Sequence, residues 1–447
     1  MERMNLEKLV QWKDKKNRKP LLVTGVRQCG KTYLIREFGN REFSECAYFN
    51  FDGNEALKSI FNYDLNTERI LDELGSTISS QKITPGQTLV IFDEIQACPK
   101  AIQSLKYFCE EMPELHLIAA GSLLGVALRA EGISFPVGKV DRLEMYPMSF
   151  EEFVIADGGE RFINGIRKLS LEREIPELYT AAMEKYLKNY YIIGGMPEAV
   201  QTWIDTHSFK DVEAVQDRIL RDYADDFGKY TTPDTATKIR LIWDAIPSQI
   251  ARDNSKFIFS HIKSGARAKD LEDALTWLVN AGIAYKLNMV PVPEIPLSGM
   301  ADYTYFKVYM TDTGLLRRKS GVNYRTILEG DLSFIHFKGA LTENYVLTQL
   351  KCMSIDSWFW RTKADAEIDF ITDYEGVLIP IEVKSADNTK AKSLHLFCNR
   401  FEPKMAVKTS LKNVGDNTDG KTHVWSVPLY TLFRFKEYVA AEMGWRE

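Results

Sequence analysis

No Cys-x-x-Cys pair occurs among the six cysteines, Cys29, Cys46, Cys98, Cys109, Cys352 and Cys398, and none of their spacings suits a zinc-ligand set. That argues against a disulfide framework or a metal ribbon and fits free thiols in a reducing compartment. No stretch approaches the roughly 18 uncharged apolar residues of a membrane span. Residues 1–10 alternate charged and apolar side chains and lack a signal-peptide core. The expectation is a cytoplasmic chain with no membrane partner. An excess of positive charge is also missing: 57 Lys and Arg against 62 Asp and Glu leave a formal charge of −5. Whole-molecule attraction to DNA or anionic lipid is therefore not expected, and any nucleic-acid surface has to be local. Internal repeats and low-complexity tracts are absent too.

What is present is ordinary folding material, 45% hydrophobic and 27% charged over 447 residues, too long for one core. Apolar runs at 21–24, 47–51, 89–92 and 117–120 alternate with helix-like sequence, which predicts an α/β domain with a parallel sheet over residues 1–150. Residues 151–236 read as a helical lid or connector broken at Gly194-Gly195-Met196-Pro197. Residues 237–316 read as two helices and a two-stranded ribbon, the order of a winged helix. In the second helix Leu271, Leu275, Leu278 and Val279 share one face. A polar linker is expected at 317–330, and a further α/β unit at 331–447.

The segment Gly25-Val26-Arg27-Gln28-Cys29-Gly30-Lys31-Thr32 follows the first apolar run directly and fits G-x-x-x-x-G-K-[ST], with helix-compatible sequence from Tyr33 onward. These residues, Tyr33 included, are expected to hold ATP. Glycines let backbone N–H groups surround the phosphates, and the helix N-terminus adds its positive end. Lys31 reaches the terminal phosphates and Thr32 coordinates Mg2+. Cys29 reads as a small loop residue in preference to an oxidisable thiol. The run 89–92 then delivers Asp93, expected on the metal, and Glu94, expected to orient or deprotonate the attacking water. Arg129 and Arg142 are candidates for an arginine acting on a neighbouring copy's nucleotide.

A second constellation lies near the C-terminus. Glu382-Val383-Lys384 ends an apolar run, so residues 382 and 384 face the same way on a strand, and Asp369 projects from another. Glu343 shares a helix face with Val346, Leu347 and Leu350, where a carboxylate needs a partner. One reading is metal-assisted phosphodiester hydrolysis: Asp369 and Glu382 hold Mg2+ or Mn2+, Lys384 positions water, and Glu343 supports them. The other is a set of internal ion pairs. For DNA contact the candidates are Lys263, Arg267 and Lys269, and the run Lys13, Lys15, Lys16, Arg18 and Lys19, set against a plain solvated face.

Several segments together resemble a large bacterial and archaeal group of AAA-type ATPases. They are the loop 25–32, Phe92-Asp93-Glu94-Ile95-Gln96, Ala120-Gly121-Ser122, Tyr146-Pro147-Met148-Ser149-Phe150, Gly194-Gly195-Met196-Pro197-Glu198, Asp273-Ala274-Leu275-x-Trp277-Leu278, Asp312-x-Gly314-Leu315-Leu316 and Lys338-Gly339-Ala340-Leu341-Thr342-Glu343-Asn344. The resemblance implies that Ser122 senses the γ-phosphate, that a winged-helix region follows the ATPase domain, and that 331–447 is similar to PD-(D/E)xK restriction-endonuclease-like modules. Glu343, Asp369, Glu382 and Lys384 fall on that motif. One departure is Gly138-Lys139, where the group has Gly-Arg, so Lys139 or Arg142 would have to substitute. The expectation is an ATP-hydrolysing protein coupled to a nuclease-like module acting on DNA. The alternative is a nucleotide-gated switch whose C-terminal module binds a protein partner and cuts nothing. Self-association is compatible with both.

Overall fold

The computed structural model describes residues 1–77, 83–130, 135–252, 256–262, 265, 267–330, 335–362, 366–385 and 391–445. Among them no helix is long and apolar enough to cross a membrane. The chain divides into two compact units, and neither is continuous in sequence. The first comprises Met1–Tyr146, Asp226–Ala236 and Thr276–Ile283; the second comprises Pro147–Asp225, Thr237–Leu275 and Ala284–Glu447. The four successive segments expected from sequence therefore do not map one to one onto these units.

The first unit is built on five parallel strands: β1 (Leu21–Gly25), β2 (Glu45–Asn50), β3 (Thr88–Asp93), β4 (His116–Ala120) and β5 (Asp141–Met145), in the order β2-β3-β4-β1-β5. All of β3 and β4 is buried, as parallel strands covered on both faces require, and this is why they read as unbroken apolar runs. Strand β5 escaped the sequence reading because it is an edge strand whose Leu143 and Met145 alone are buried. Phe92 sits at the hub of an aromatic cluster, its ring 5.5 Å from Phe51 and 5.8 Å from Phe61, both edge-on. Edge-to-face pairs of this kind add about 1 kcal/mol each beyond area burial. With β1 between β4 and β5, its carboxyl end opens into the crevice where ligands of such sheets sit.

The second unit carries a mixed sheet formed by β6 (Ala284–Met289), β7 (Asp302–Met310), β8 (Ser357–Arg361), β9 (Glu367–Tyr374), β10 (Val377–Val383), β11 (Met405–Ser410), β12 (Gly415–Asp419) and β13 (Thr422–Pro428). Its order is β12-β13-β11-β10-β9-β8-β6-β7. Strands β8, β9 and β10 form an antiparallel meander, and β10, β11 and β13 run parallel. The helix–helix–ribbon order expected for 237–316 is present, but the ribbon β6–β7 does not stand apart. Met289 pairs with Phe359 of β8, and the Val290 N–H donates to the Phe359 carbonyl at 2.8 Å. Joining the ribbon to β8 covers an edge whose N–H and C=O groups would otherwise be open to pairing with other chains.

The expected linker 317–330 is also different: it contains the end of the helix Thr313–Lys319 and the helix Tyr324–Glu329. Arg317 is fully buried there, donating to Glu213 at 2.5 Å, Gln216 at 2.7 Å and the Ile192 carbonyl at 3.1 Å. A polar residue passes for linker in sequence when its partners lie about a hundred positions away.

Three of the recognisable segments meet in one knot in this unit. The Gly195 N–H donates to Asp312 Oδ2 at 2.6 Å, and the Met148 N–H donates to the Gly195 carbonyl at 2.6 Å. The Leu315 N–H donates to Asp312 Oδ1 at 2.8 Å, so Asp312 also caps the helix that follows it. Burial pushes the Asp312 carboxyl up to about 6, against the pull of the Gly195, Leu315 and Gly314 N–H groups. A Cβ on Gly195 would lie 2.1 Å from the Met148 carbonyl oxygen. Gly195→Ala is therefore expected to lower stability by on the order of 3 kcal/mol. Gly158→Ala, with open space around a left-handed glycine, costs about 1 kcal/mol. Urea unfolding of the two variants measures the difference.

Candidate functional site

In the first unit, β1 ends at Gly25 with φ 144°, and a Cβ there would sit 2.1 Å from the Met145 carbonyl oxygen of β5. Only glycine passes between the two strands. Gln28 at φ 67° and Gly30 at φ 93° then reverse the chain into the helix Lys31–Glu42, the alternation that turns successive N–H groups into an anion cradle. The Lys31 ammonium lies back across this loop, donating to the carbonyls of Gly25 at 3.0 Å and Val26 at 2.9 Å. Cys29 is buried, and the buried Arg3 guanidinium donates to its carbonyl at 2.8 Å. The thiol thus lies inside the loop's packing. Tyr33 is exposed.

The Thr32 hydroxyl donates to Asp93 Oδ2 at 2.8 Å, and the Tyr48 hydroxyl donates to the same oxygen at 2.7 Å. The other Asp93 oxygen accepts the Glu94 N–H at 3.0 Å. Burial and the Asp93 hydrogen bond push the Tyr48 phenol up to about 12, so it remains a donor. Thr32 and Asp93 are thus oriented at one point, which fits Mg2+ held by few protein oxygens and completed by phosphates and water. Glu94 adopts a left-handed backbone at φ 49°, a conformation costing about 1 kcal/mol for a non-glycine residue. Its carboxylate accepts from Gln96 Nε2. A Cβ on Gly121 would lie 2.4 Å from the Gln96 oxygen, so Gln96 spans from Glu94 to the strand end bearing Ser122.

The C-terminal set also converges, though with different partners from those expected. Asp369 Oδ2 accepts the Val383 N–H of the adjacent strand at 2.7 Å, and Glu382 Oε1 lies 2.5 Å from the Lys384 ammonium. Glu382 is 3% exposed, and among the described residues its second oxygen has no hydrogen-bond partner. Glu343 projects from the helix Ile335–Cys352 and accepts from the Tyr309 hydroxyl at 2.7 Å. Burial, then the Glu382 and Glu343 carboxylates, push the Asp369 carboxyl well above the usual range, against the pull of Lys307 and the Val383 N–H. Burial raises Glu382 as well, with Lys384 opposing. Among the described residues, no three His, Cys, Asp or Glu side chains gather closely enough to cage a metal ion. In this arrangement Glu343, Asp369 and Glu382, each expected on a metal, contact the Tyr309 hydroxyl, the Val383 N–H and Lys384 respectively.

Residues 17–154 match the AAA domain family. The first unit is an AAA-type ATP-binding domain. Residues 184–326 and 338–430 match two domains of unknown function, DUF8612 and DUF4143. An uncharacterized protein of Methanocaldococcus jannaschii is 22% identical over 419 residues, 89% of this chain and 82% of its own length. An uncharacterized protein of Mycobacterium tuberculosis is 36% identical over 80 residues, 17% of each chain. Among solved structures, a Walker-type ATPase of Pyrococcus abyssi aligns over 71% of this chain and 95% of its own with 15% identity and a TM-score of 0.42.

Two chain segments return to the AAA domain from far along the sequence. Arg27 of the phosphate loop bonds both oxygens of Asp226 at 2.5 Å, and Gly282 packs against Val26. A cleft of about 340 Å³ is lined by Thr24, Gly25, Ser122, Arg142, Glu144 and Asn280 among others, so the candidate sensor Ser122 borders open space beside the loop. Arg142 stacks its guanidinium 4.5 Å from the Phe135 ring, and Lys139 is paired with Glu110 at 2.8 Å. The side chain of Arg129 lies outside the described residues.

The basic run near the N-terminus is largely spent inside the AAA domain. Lys13 pairs with Glu42 at 2.9 Å, Lys15 with Asp141 at 2.8 Å, Arg18 donates to the Glu114 carbonyl at 3.1 Å and Lys19 to the Gly138 carbonyl at 2.7 Å. These contacts fasten the run to other parts of the domain. Arg267 and Lys269 are exposed, and Lys263 lies outside the described residues.

Sequence reasoning missed Tyr48, Gln96 and Asp226 at the first site and Lys307, Tyr309 and Glu367 at the second. Lys307 and Tyr309 carried a signal: residues 307 and 309 alternate on a strand, which puts a lysine and a tyrosine on one face. Lys31→Ala is expected to leave the fold intact by circular dichroism and to reduce ATP turnover by at least about 100-fold, the usual loss when a preorganised donor is removed. A phosphate-release assay measures it.

Proposed function

We propose that this chain hydrolyses ATP, with Mg2+ held by Thr32 and Asp93, Lys31 on the terminal phosphates, and Glu94 orienting the attacking water. The observation that carries the proposal is the Thr32–Asp93 contact at 2.8 Å. It joins the phosphate loop to the acidic end of β3, and these two residues would hold Mg2+. Ser122, at the end of β4 beside β1, supplies a hydroxyl for sensing the γ-phosphate. The metal lends charge neutralisation when bound; the chain's own residues supply position and exclude competing geometry. Glu94→Gln is expected to retain nucleotide binding and to lose turnover by at least about 100-fold. Wild-type turnover in that variant removes the assignment of Glu94.

For the second unit we propose a phosphodiester-directed site acting on DNA and coupled to the ATP cycle. Its support is the adjacency of Asp369 and Glu382 across antiparallel strands, where the Val383 N–H meets Asp369, with Lys384 following and Glu343 above. Asp369 and Glu382 would hold Mg2+ or Mn2+, which would polarise a phosphoryl oxygen, and Lys384 would hold water and stabilise developing charge. A second reading, a nucleotide-gated switch whose C-terminal module binds a protein partner without cutting, is favoured by the pairing of Lys384 with Glu382 and of Lys307 with Glu343 and Glu367. Cleavage of DNA with Mg2+ or Mn2+ by wild type, lost in Asp369→Ala with Lys384→Ala, supports the first reading. No cleavage by wild type across both ions and both single- and double-stranded substrates supports the second.

A further inference from the structure

Among the described residues, four carboxylates gather at the C-terminal site. Glu343, Glu367, Asp369 and Glu382 stand against Lys307, Lys384 and Arg361, with Lys408 in register beside Glu382. Lys384 is 2.5 Å from Glu382, and Arg361 is 3.7 Å from Glu367. Lys307 is the member that no motif anticipates. It comes from the ribbon strand β7, is 1% exposed, and its stem passes the Phe359 ring so that the ammonium lies 5.1 Å from the ring centroid. From there the Nζ reaches Glu367 Oε1 at 2.5 Å and Glu343 Oε2 at 3.6 Å. Burial by itself disfavours the charged form of such a lysine. Tyr309 and the carboxylates of Glu343, Glu367 and Asp369 outweigh it and hold Lys307 well above its ordinary value. An ammonium is a compact, strongly hydrated charge, and its burial is tolerated only where paired carboxylates replace the water.

Among the described residues the buried second oxygen of Glu382 has no hydrogen-bond partner, so the acidic set keeps an acceptor for a cation while Lys307 occupies the side toward Glu343 and Glu367. We infer that Lys307 is a resident cation that competes with a divalent metal for the acidic site, so that the ribbon β6–β7 sets the site's metal affinity. The inference rests on the reading of Glu343, Asp369 and Glu382 as a metal-directed set, and it explains why no metal cage is formed among them while the lysine is in place. It also gives the ribbon a role toward the C-terminal strands that its helix–ribbon pattern alone does not suggest.

The test is Mn2+ binding to the full-length chain without nucleotide, followed by the electron paramagnetic resonance signal of the free ion. Wild type, Lys307→Met, Asp369→Asn and Lys307→Met/Asp369→Asn are compared. Lys307→Met is expected to bind Mn2+ at least about 10-fold more tightly than wild type, since a full charge a few ångströms away is removed. The gain is expected to vanish in Lys307→Met/Asp369→Asn. Because Lys307→Met leaves carboxylates unpaired, its melting temperature is expected to fall and to recover with added Mn2+, whereas that of wild type is unmoved. If Lys307→Met does not fold even with Mn2+, Lys307→Met/Glu367→Gln also removes the carboxylate that Lys307 pairs most closely, leaves Glu343, Asp369 and Glu382 without the competing ammonium, and tighter binding than wild type is again required. Equal, Asp369-dependent affinity in wild type and the folded Lys307 variant overturns the inference and leaves the metal-directed site standing. No Asp369-dependent binding in any folded chain removes both.

Discussion

The carboxylate of Asp93 is the constraint from which the nucleotide site follows. It is 3% exposed and accepts from Thr32, Tyr48 and the Glu94 N–H. Those three donors lie on the helix after the phosphate loop, on the neighbouring strand and on its own strand end. One buried charge, fully hydrogen-bonded, therefore registers three elements against each other. Such a group is expensive to bury alone and inexpensive once satisfied, so the geometry is close to all or none. The left-handed turn at Glu94 is held in the same frame, with Gln96 fixing the carboxylate that strand β3 delivers.

The recognisable segments of the chain divide by purpose. Those at 25–32 and 92–96 surround chemistry, whereas those at 148, 194–195 and 312–315 form a backbone knot in the second unit with no reactive group exposed. Gly195 is there because Met148 leaves no room for a methyl group, and Asp312 because two separated N–H groups need one acceptor. Segments that look alike in a sequence can thus be held by sterics in one place and by reactivity in another.

The nucleotide site was legible because its requirements are local: strand, turn, helix and a second strand end, each within a few residues of the last. The three inner strands β1, β3 and β4 announced themselves as apolar runs, and the edge strand β2 through the run that buries Ala47 and Phe49. Strand β5 did not, since an edge strand needs only Leu143 and Met145 inside. The buried Arg317, the Arg27–Asp226 pair and Lys307 were not legible for a common reason. Each is a charge whose acceptor lies 60 to 199 positions away, and composition cannot tell such a residue from a solvated one. The acidic set near the C-terminus was half legible. Its strand faces were readable, but the lysine that accompanies it arrives from a ribbon assigned to a different segment.

The discontinuity of the first unit bears on how the molecule is made. Asp226 and Gly282 both touch the phosphate loop, and the segments that carry them are tied together by Phe227 and Trp277, whose rings are 5.5 Å apart. A ribosome releases the N-terminal sheet first, yet these last contacts to the loop come from residues beyond the middle of the chain. The nascent protein therefore carries an unfinished nucleotide cradle through much of its own synthesis, and the cradle closes only after the returning segments emerge.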